Sequence, residues 1–182
     1  WAEAASWGKS HSIAINVAPQ QLLQTRFVDE VAFILDETEL DPSRLELEIT
    51  EATMIDDMSF ALAAMTRLKD MGVRIAMDDF GTGYSSLSTL QAFPFDKIKI
   101  DRSFITDVHE NPQRAAIVRS TLLLGQALNI PVLAEGVEVG PELDFLRAEK
   151  CGLVQGYFFG KPLTLEEMRA VVAEADQAPK AG

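Results

Sequence analysis

Acidic and amide side chains recur at one kind of place in this chain, the last residues of short β-rich runs. Leu45-Glu46-Leu47-Glu48-Ile49-Thr50 alternates strictly between apolar and polar residues. In a strand, Leu45, Leu47 and Ile49 share one face, and Glu46, Glu48 and Thr50 share the other. The apolar face suits a covering layer of helices. In a barrel the acidic face points inward. An ionised carboxylate buried without a partner is costly, so inward acids require a metal, a base or a proton. A half-exposed sheet with one wet face is the plain alternative, and this strand alone does not decide between them.

Other runs repeat the oddity at the same end. Asn16 lies late in SIAINV, Asp78 and Asp79 end RIAMDD, and Lys99 and Asp101 end KIKID. Glu135 ends PVLAE, and Gln155 lies in LVQGY. Such strand ends converge if a parallel sheet curls into a barrel, where active sites form at the C-terminal face. Oxygen donors with little His or Cys suit a hard cation, Mg²⁺ or Mn²⁺, better than zinc. The two histidines, His11 and His109, lie away from strand ends and are expected on the surface.

Six runs read as strands: Ser12–Val17, Leu45–Thr50, Arg74–Phe80, Lys97–Ile100, Pro131–Glu135 and Leu153–Phe158. Helical stripes lie between them. Leu23, Phe27, Val31 and Ile34 form one, Leu62, Met65, Leu68 and Met71 a second, and Ile117, Thr121, Leu124 and Leu128 a third. Gly72 reads as a helix C-cap. Thr164-Leu165-Glu166-Glu167 fits a capping box opening a last helix. This alternation predicts an α/β fold with a parallel sheet, either open and doubly wound or closed as a barrel. No glycine-rich phosphate loop follows an early strand, which weakens the doubly wound nucleotide-binding option. Gly81 to Ser86, GTGYSS, reads as a mobile loop beside a functional strand end. One domain is expected over residues 1–176, with a frayed tail from Gln177 to Gly182.

Composition narrows the partners. The chain has 182 residues, 47% hydrophobic and 24% charged, which is enough for one domain with a sizeable core. A net charge of −12 disfavours the polyanionic backbone of DNA or RNA. It does not exclude a phosphate substrate, because carboxylates gather divalent cations that in turn bind phosphate. No run is apolar and long enough to span a membrane, and the N-terminus lacks the pattern of a secretory signal. A single cysteine, Cys151, precludes an internal disulfide and fits a reducing compartment. The location expected is therefore cytoplasmic.

Asp78-Asp79-Phe80-Gly81-Thr82-Gly83-Tyr84-Ser85-Ser86-Leu87 resembles the DDFGTGYSSL loop of EAL-domain cyclic di-GMP phosphodiesterases. Ile15-Asn16-Val17, Leu47-Glu48-Ile49-Thr50-Glu51, Lys99-Ile100-Asp101, Ala134-Glu135-Gly136-Val137-Glu138 and Gln155-Gly156-Tyr157 match further signatures of that family in order. The resemblance runs from about Trp7 to Pro162. It implies a TIM-like (β/α) barrel with six parallel strands present. The family's Glu-Ala-Leu motif does not occur, so the first two family strands, including the motif strand with its metal-binding Glu, are expected to be missing.

The resemblance further implies hydrolysis of cyclic di-GMP to linear pGpG in bacterial signal transduction. It places Asn16, Glu48, Asp78, Asp79, Glu135 and Gln155 around two Mg²⁺ or Mn²⁺ ions, with Asp78 between them. It gives catalytic roles to Glu48, Asp78 and Lys99, with Lys99 holding the attacking water or assisting its deprotonation. It assigns Glu51, Gly81, Thr82 and Gly83 to positioning the loop, and places Asp101 and Glu138 beside the site. A homodimer and upstream regulatory or sensory domains are also family habits.

Plainer roles stand beside these. Lys99 could simply pair with Asp101 or Asp79, and Gln155 could be a core amide bonded to backbone. Asp78 and Asp79 can both face inward only if the strand ends there, and Gly81 permits such a break. A non-catalytic cyclic di-GMP receptor on the same fold is the alternative function. An unrelated carboxylate-rich barrel, such as a metal-assisted lyase, is a third, which the loop signature disfavours.

Overall fold

The computed structural model describes residues 1–8, 11–50, 57–82 and 87–177. The strands are β1 (Ile13–Val17), β2 (Leu45–Thr50), β3 (Arg74–Phe80), β4 (Lys97–Ile100), β5 (Val132–Ala134) and β6 (Leu153–Val154). They form one sheet in the order β1-β2-β3-β4-β5-β6, every adjacent pair parallel. A doubly wound sheet reverses its strand order at a switch point. This one never does: each strand lies beside the one before it. That progression is the TIM-like (β/α) arrangement, with helices over the outer face. Among the described residues, β1 and β6 have one neighbouring strand each.

The helices are α1 (Ala2–Ala5), α2 (Pro19–Leu22), α3 (Phe27–Thr38), α4 (Met58–Asp70), α5 (Leu87–Ala92), α6 (Arg102–Ile105), α7 (Pro112–Leu128), α8 (Gly140–Ala148) and α9 (Leu165–Gln177). The core lies between them and the sheet. Leu45, Leu47, Ile49, Ile75, Met77, Ile98 and Ile100 are all at most 1% exposed. These are the alternate residues of β2, β3 and β4, so the period-two pattern chooses the face that meets the helices.

The helical stripes turn differently from expectation. In α3 the buried residues are Val28, Val31 and Leu35, and Leu23 lies outside the helix. In α7 they are Ala115, Val118, Thr121 and Gly125, whereas Ile117 is exposed. Close approach explains the shift. A Cβ on Gly125 would sit 2.3 Å from Val132 Cγ2, so small residues face the sheet and larger ones flank the contact.

Several local signals hold. α4 ends in a Schellman motif: Gly72 has φ +93°, its N–H donates to Lys69 O, and Val73 N–H donates to Leu68 O. Thr164 caps α9 reciprocally with Glu167. β6 stops four residues earlier than its apolar run implies. There Gly156 passes so close to Val137 that a Cβ would lie 2.2 Å from Val137 O, and the chain turns away through Tyr157–Phe159. α9 returns to the start of the chain. Arg169 forks onto Glu3 at 2.6 and 2.8 Å, and half-buried His11 meets Asp176 at 2.9 Å. His109 is exposed. The expected tail coincides with α9 at Gln177, and residues 178–182 lie outside the described ones. Among the described residues no helix is long and apolar enough to cross a membrane.

Candidate active site

Register puts the chemistry-bearing residues on one face. Asn16 pairs with Glu48, Glu48 with Ala76, Thr50 with Asp78, and Lys99 with Leu133. Paired residues in a parallel sheet project to the same side. Asn16, Glu48, Thr50, Asp78 and Lys99 therefore share the face opposite the helix-covered core, and alternation carries Glu135 and Gln155 onto it. The ladder continues past the strand ends to reach them: Glu135 N–H donates to Ile100 O at 3.2 Å, and Gln155 N–H to Ala134 O at 2.9 Å.

At the centre stands Lys99, only 3% exposed. Its ammonium lies 2.7 Å from Glu48 Oε2, 2.8 Å from Glu135 Oε1 and 3.0 Å from Asp78 Oδ1. The plainer pairing of Lys99 with Asp101 or Asp79 is thus replaced by three carboxylates from β2, β3 and the end of β5. Two residues deeper, Lys97 Nζ meets both Glu46 oxygens at 2.6 and 2.7 Å. The sheet interior carries two charged layers, each a lysine of β4 against a glutamate of β2. Buried ion pairs add little net stability, yet losing one partner costs about 3–5 kcal/mol. Such a cluster is better explained by chemistry than by stability.

Electrostatics set the protonation states. Burial alone pulls the Lys99 ammonium down, but its contacts with Glu135, Glu48 and Asp78 outweigh burial and hold it above the ordinary lysine range. Lys99 is therefore held as an ammonium that donates to the three carboxylates. Burial pushes the Glu135 carboxyl up, with Lys99 opposing and Asp78 and Glu48 assisting. Burial also pushes Asp79 up, reinforced by Asp78 and Asp101.

The strand runs to Phe80 as expected, but within it Asp79 already adopts φ +55°. The β3–β4 register shifts between Met77 and Phe80. The irregularity in the ladder thus falls at Asp79, two residues before the break that Gly81 was expected to permit. Thr82 closes the turn, donating N–H and Oγ1–H to Asp79 O. Gly81 has φ +97°, and a Cβ there would lie 3.0 Å from the Phe104 ring. Glu51, Gly83 and the rest of the GTGYSS loop through Ser86 lie outside the described residues.

The remaining expected residues separate. Asn16 and Gln155 are exposed, so Gln155 is not a core amide, although its backbone is fully engaged. Asp101 caps α6, accepting from Ser103 N–H at 3.0 Å and Ser103 Oγ–H at 2.5 Å. Glu138 pairs with Arg102 at 2.9 Å. Two contributors were missed, Lys97 and Glu142. Glu46 was already read as an inward acid, and alternation from Lys99 would have found its partner Lys97. Buried Glu142, which binds backbone N–H groups of Asp107, Glu138 and Val139, carries only the faint signal of a Glu three residues past a helix start.

The donors suit a hard cation in kind, being carboxylates and amides. Asp78 Oδ1 is buried and has no well-directed hydrogen bond, despite its proximity to Lys99, so it retains acceptor capacity. Among the described residues, however, no three His, Cys, Asp or Glu side chains are grouped so as to hold an ion together, and Lys99 stands among Glu48, Asp78 and Glu135. A cation entering here has to share these carboxylates with Lys99.

A family model for the EAL domain matches residues 1–162. An uncharacterized signaling protein of Caulobacter vibrioides is 50% identical over 182 residues, 98% of this chain and 22% of that protein. The bifunctional diguanylate cyclase/cyclic di-GMP phosphodiesterase MucR of Pseudomonas aeruginosa is 41% identical over 162 residues, 89% of this chain and 24% of that protein. The chain thus spans about a fifth to a quarter of the length of these relatives. Among solved structures, the EAL domain of Mycobacterium smegmatis DcpA matches with a TM-score of 0.90 at 38% identity, covering 95% of this chain and 80% of that one. The MucR phosphodiesterase in complex with c-di-GMP matches at 0.82 and 40%, covering 86% and 64%. Klebsiella pneumoniae BlrP1 with manganese and cyclic di-GMP matches at 0.82 and 34%, covering 88% and 42%.

Proposed function

The chain belongs to the EAL domain family, and from that premise we propose that it is the core of a metal-dependent phosphodiesterase that hydrolyses cyclic di-GMP to linear pGpG. The observation that carries this reading is the convergence of Glu48, Asp78 and Glu135 on Lys99 at one face of the sheet. Related proteins named as cyclic di-GMP phosphodiesterases, and related structures holding cyclic di-GMP and manganese, support it.

Asn16, Glu48, Asp78, Asp79, Glu135 and Gln155 would hold two Mg²⁺ or Mn²⁺ ions. Bound there, the ions supply Lewis-acid polarisation of the phosphoryl oxygen and a more acidic water. Lys99, held as an ammonium, donates to the attacking water and offsets charge on the phosphate oxygens. A water oxygen forms the new bond to phosphorus and the ester P–O bond breaks. A carboxylate takes the water proton, and the leaving oxygen finally receives one. A cytoplasmic location, a homodimer and regulatory domains elsewhere in the protein belong to the same reading.

One observation favours a second reading, a non-catalytic receptor: Lys99 stands where the carboxylates would otherwise gather around an ion. Incubating the intact protein with cyclic di-GMP and Mg²⁺ or Mn²⁺, and resolving nucleotides by chromatography, separates the two. Linear pGpG that forms with metal and stops with chelator is expected. Tight binding of cyclic di-GMP without turnover at saturating metal overturns the enzymatic reading and leaves the receptor.

A further inference from the structure

Glu142, in the first turn of α8, is 3% exposed and bonds to backbone in two separate segments. Its Oε1 accepts from Asp107 N–H at 3.0 Å. Its Oε2 accepts from Glu138 N–H at 2.8 Å and Val139 N–H at 3.2 Å. One anchor point is the turn after α6, where Asp107 holds φ +52°. The other is the stretch 135–139, which leaves β5 and begins with Glu135.

That stretch is pinned elsewhere too. Glu135 N–H donates to Ile100 O, Val137 N–H to Gln155 O at 3.0 Å, and Phe158 N–H to Val137 O at 2.9 Å. Gly136, at φ +73°, makes room for Arg102, whose Cγ lies 2.3 Å from where a Cβ would be. Arg102 in turn meets Glu138. The strand ladder therefore fixes the start of the segment and Glu142 fixes its end. Hydrogen bonds to a carboxylate are roughly twice as strong as neutral ones. Both arms of Glu142 must be acceptors, because each faces backbone N–H donors. A glutamine offers one oxygen and turns an NH₂ toward the other backbone N–H, so it loses an arm.

We propose that Glu142 is a positioning residue that holds the segment 135–139 so that the Glu135 carboxylate meets Lys99 and an incoming divalent cation. The cation part rests on the reading in the preceding subsection. Glu142 itself lies one layer behind the carboxylates that would touch the ion. Groups that orient metal ligands from behind affect metal affinity or activity by about 10–100-fold.

The test compares intact wild-type protein with Glu142→Gln and with Leu146→Val, which loosens the same helix without touching the carboxylate. Amide exchange of the peptide covering residues 135–139 is read by mass spectrometry in metal-free protein. Mn²⁺ affinity is read by paramagnetic resonance, and turnover by steady-state kinetics. Glu142→Gln is expected to speed exchange in that peptide, weaken Mn²⁺ about tenfold and lower kcat about tenfold or more with KM little changed. Leu146→Val is expected to lower the melting temperature without these effects. Wild-type exchange and Mn²⁺ affinity in Glu142→Gln, or equal losses in Leu146→Val, overturn the positioning role. A wild type that binds Mn²⁺ but hydrolyses nothing defeats the phosphodiesterase reading instead, and exchange and Mn²⁺ affinity still decide the role of Glu142.

Discussion

Glu48 and Lys99 face each other across β3, 2.7 Å apart, and this pair shows why residue identity matters at the site. Replacing Glu48 by Gln keeps the shape and removes the charge. Turnover of cyclic di-GMP is expected to fall by about 10²–10³-fold, the scale for losing one preorganised electrostatic contact, with the circular dichroism spectrum unchanged. Near-normal hydrolysis at saturating Mg²⁺ would contradict the role given to Glu48. Lys99→Met is the complementary change. It leaves Glu48, Asp78 and Glu135 facing one another without their cation, and in chelator it is expected to cost about 3–5 kcal/mol in urea unfolding at neutral pH. The pH dependence has a definite sign. The folded-state pKa of Lys99 is raised, so its stabilisation is whole below the unfolded lysine value of about 10.4 and is lost as pH rises through the folded value. The stability gap between wild type and Lys99→Met should therefore narrow from pH 8 to pH 11, and a gap that widens would show that Lys99 is not held as described.

Elements place these residues through close backbone approach as much as through side-chain packing. The end of β6 runs against the segment after β5 at Gly156, with no room for a Cβ beside Val137 N or O. Gly156→Ala must push the two segments apart, breaking the Val137–Gln155 and Phe158–Val137 hydrogen bonds. A loss of more than about 1 kcal/mol in unfolding free energy is expected, because the native backbone cannot accept the methyl group. Turnover should fall with it, since Glu135 and Gln155 lie on the two separated strands. A variant as stable and active as wild type would mean that the segments part without strain. The irregularity at Asp79 works at the same scale: one residue in the left-handed region interrupts the β3–β4 ladder.

At the scale of the whole molecule, the strands advance in sequence order from β1 to β6, and among the described residues both outer strands have an unpaired side. Leu153 on β6, and Tyr157, Phe158 and Phe159 just beyond it, are substantially exposed. Unpaired strand edges beside exposed apolar surface favour association. Purified alone, residues 1–182 are expected to self-associate in sedimentation and to hydrolyse cyclic di-GMP far more slowly than the intact protein. A monomer with the full rate would refute this.

The sequence by itself determined the α/β class, the limits of β2, β3 and β4, the caps at Gly72 and Thr164, and the set of carboxylates at strand ends. These are local: alternation, periodicity and capping each act within a few residues. The family signatures added the barrel and the expectation of its chemistry. What tertiary structure decided is which groups meet. Lys99 chooses Glu48, Asp78 and Glu135 over its neighbour Asp101, because register and curvature bring distant strands to within 3 Å while Asp101 turns to cap α6. The true inner faces of α3 and α7 likewise depend on how closely each helix approaches the sheet. Glu142 gains its place only because the turn at Asp107 and the start of α8 arrive together, a contact spanning 35 residues that no local pattern encodes.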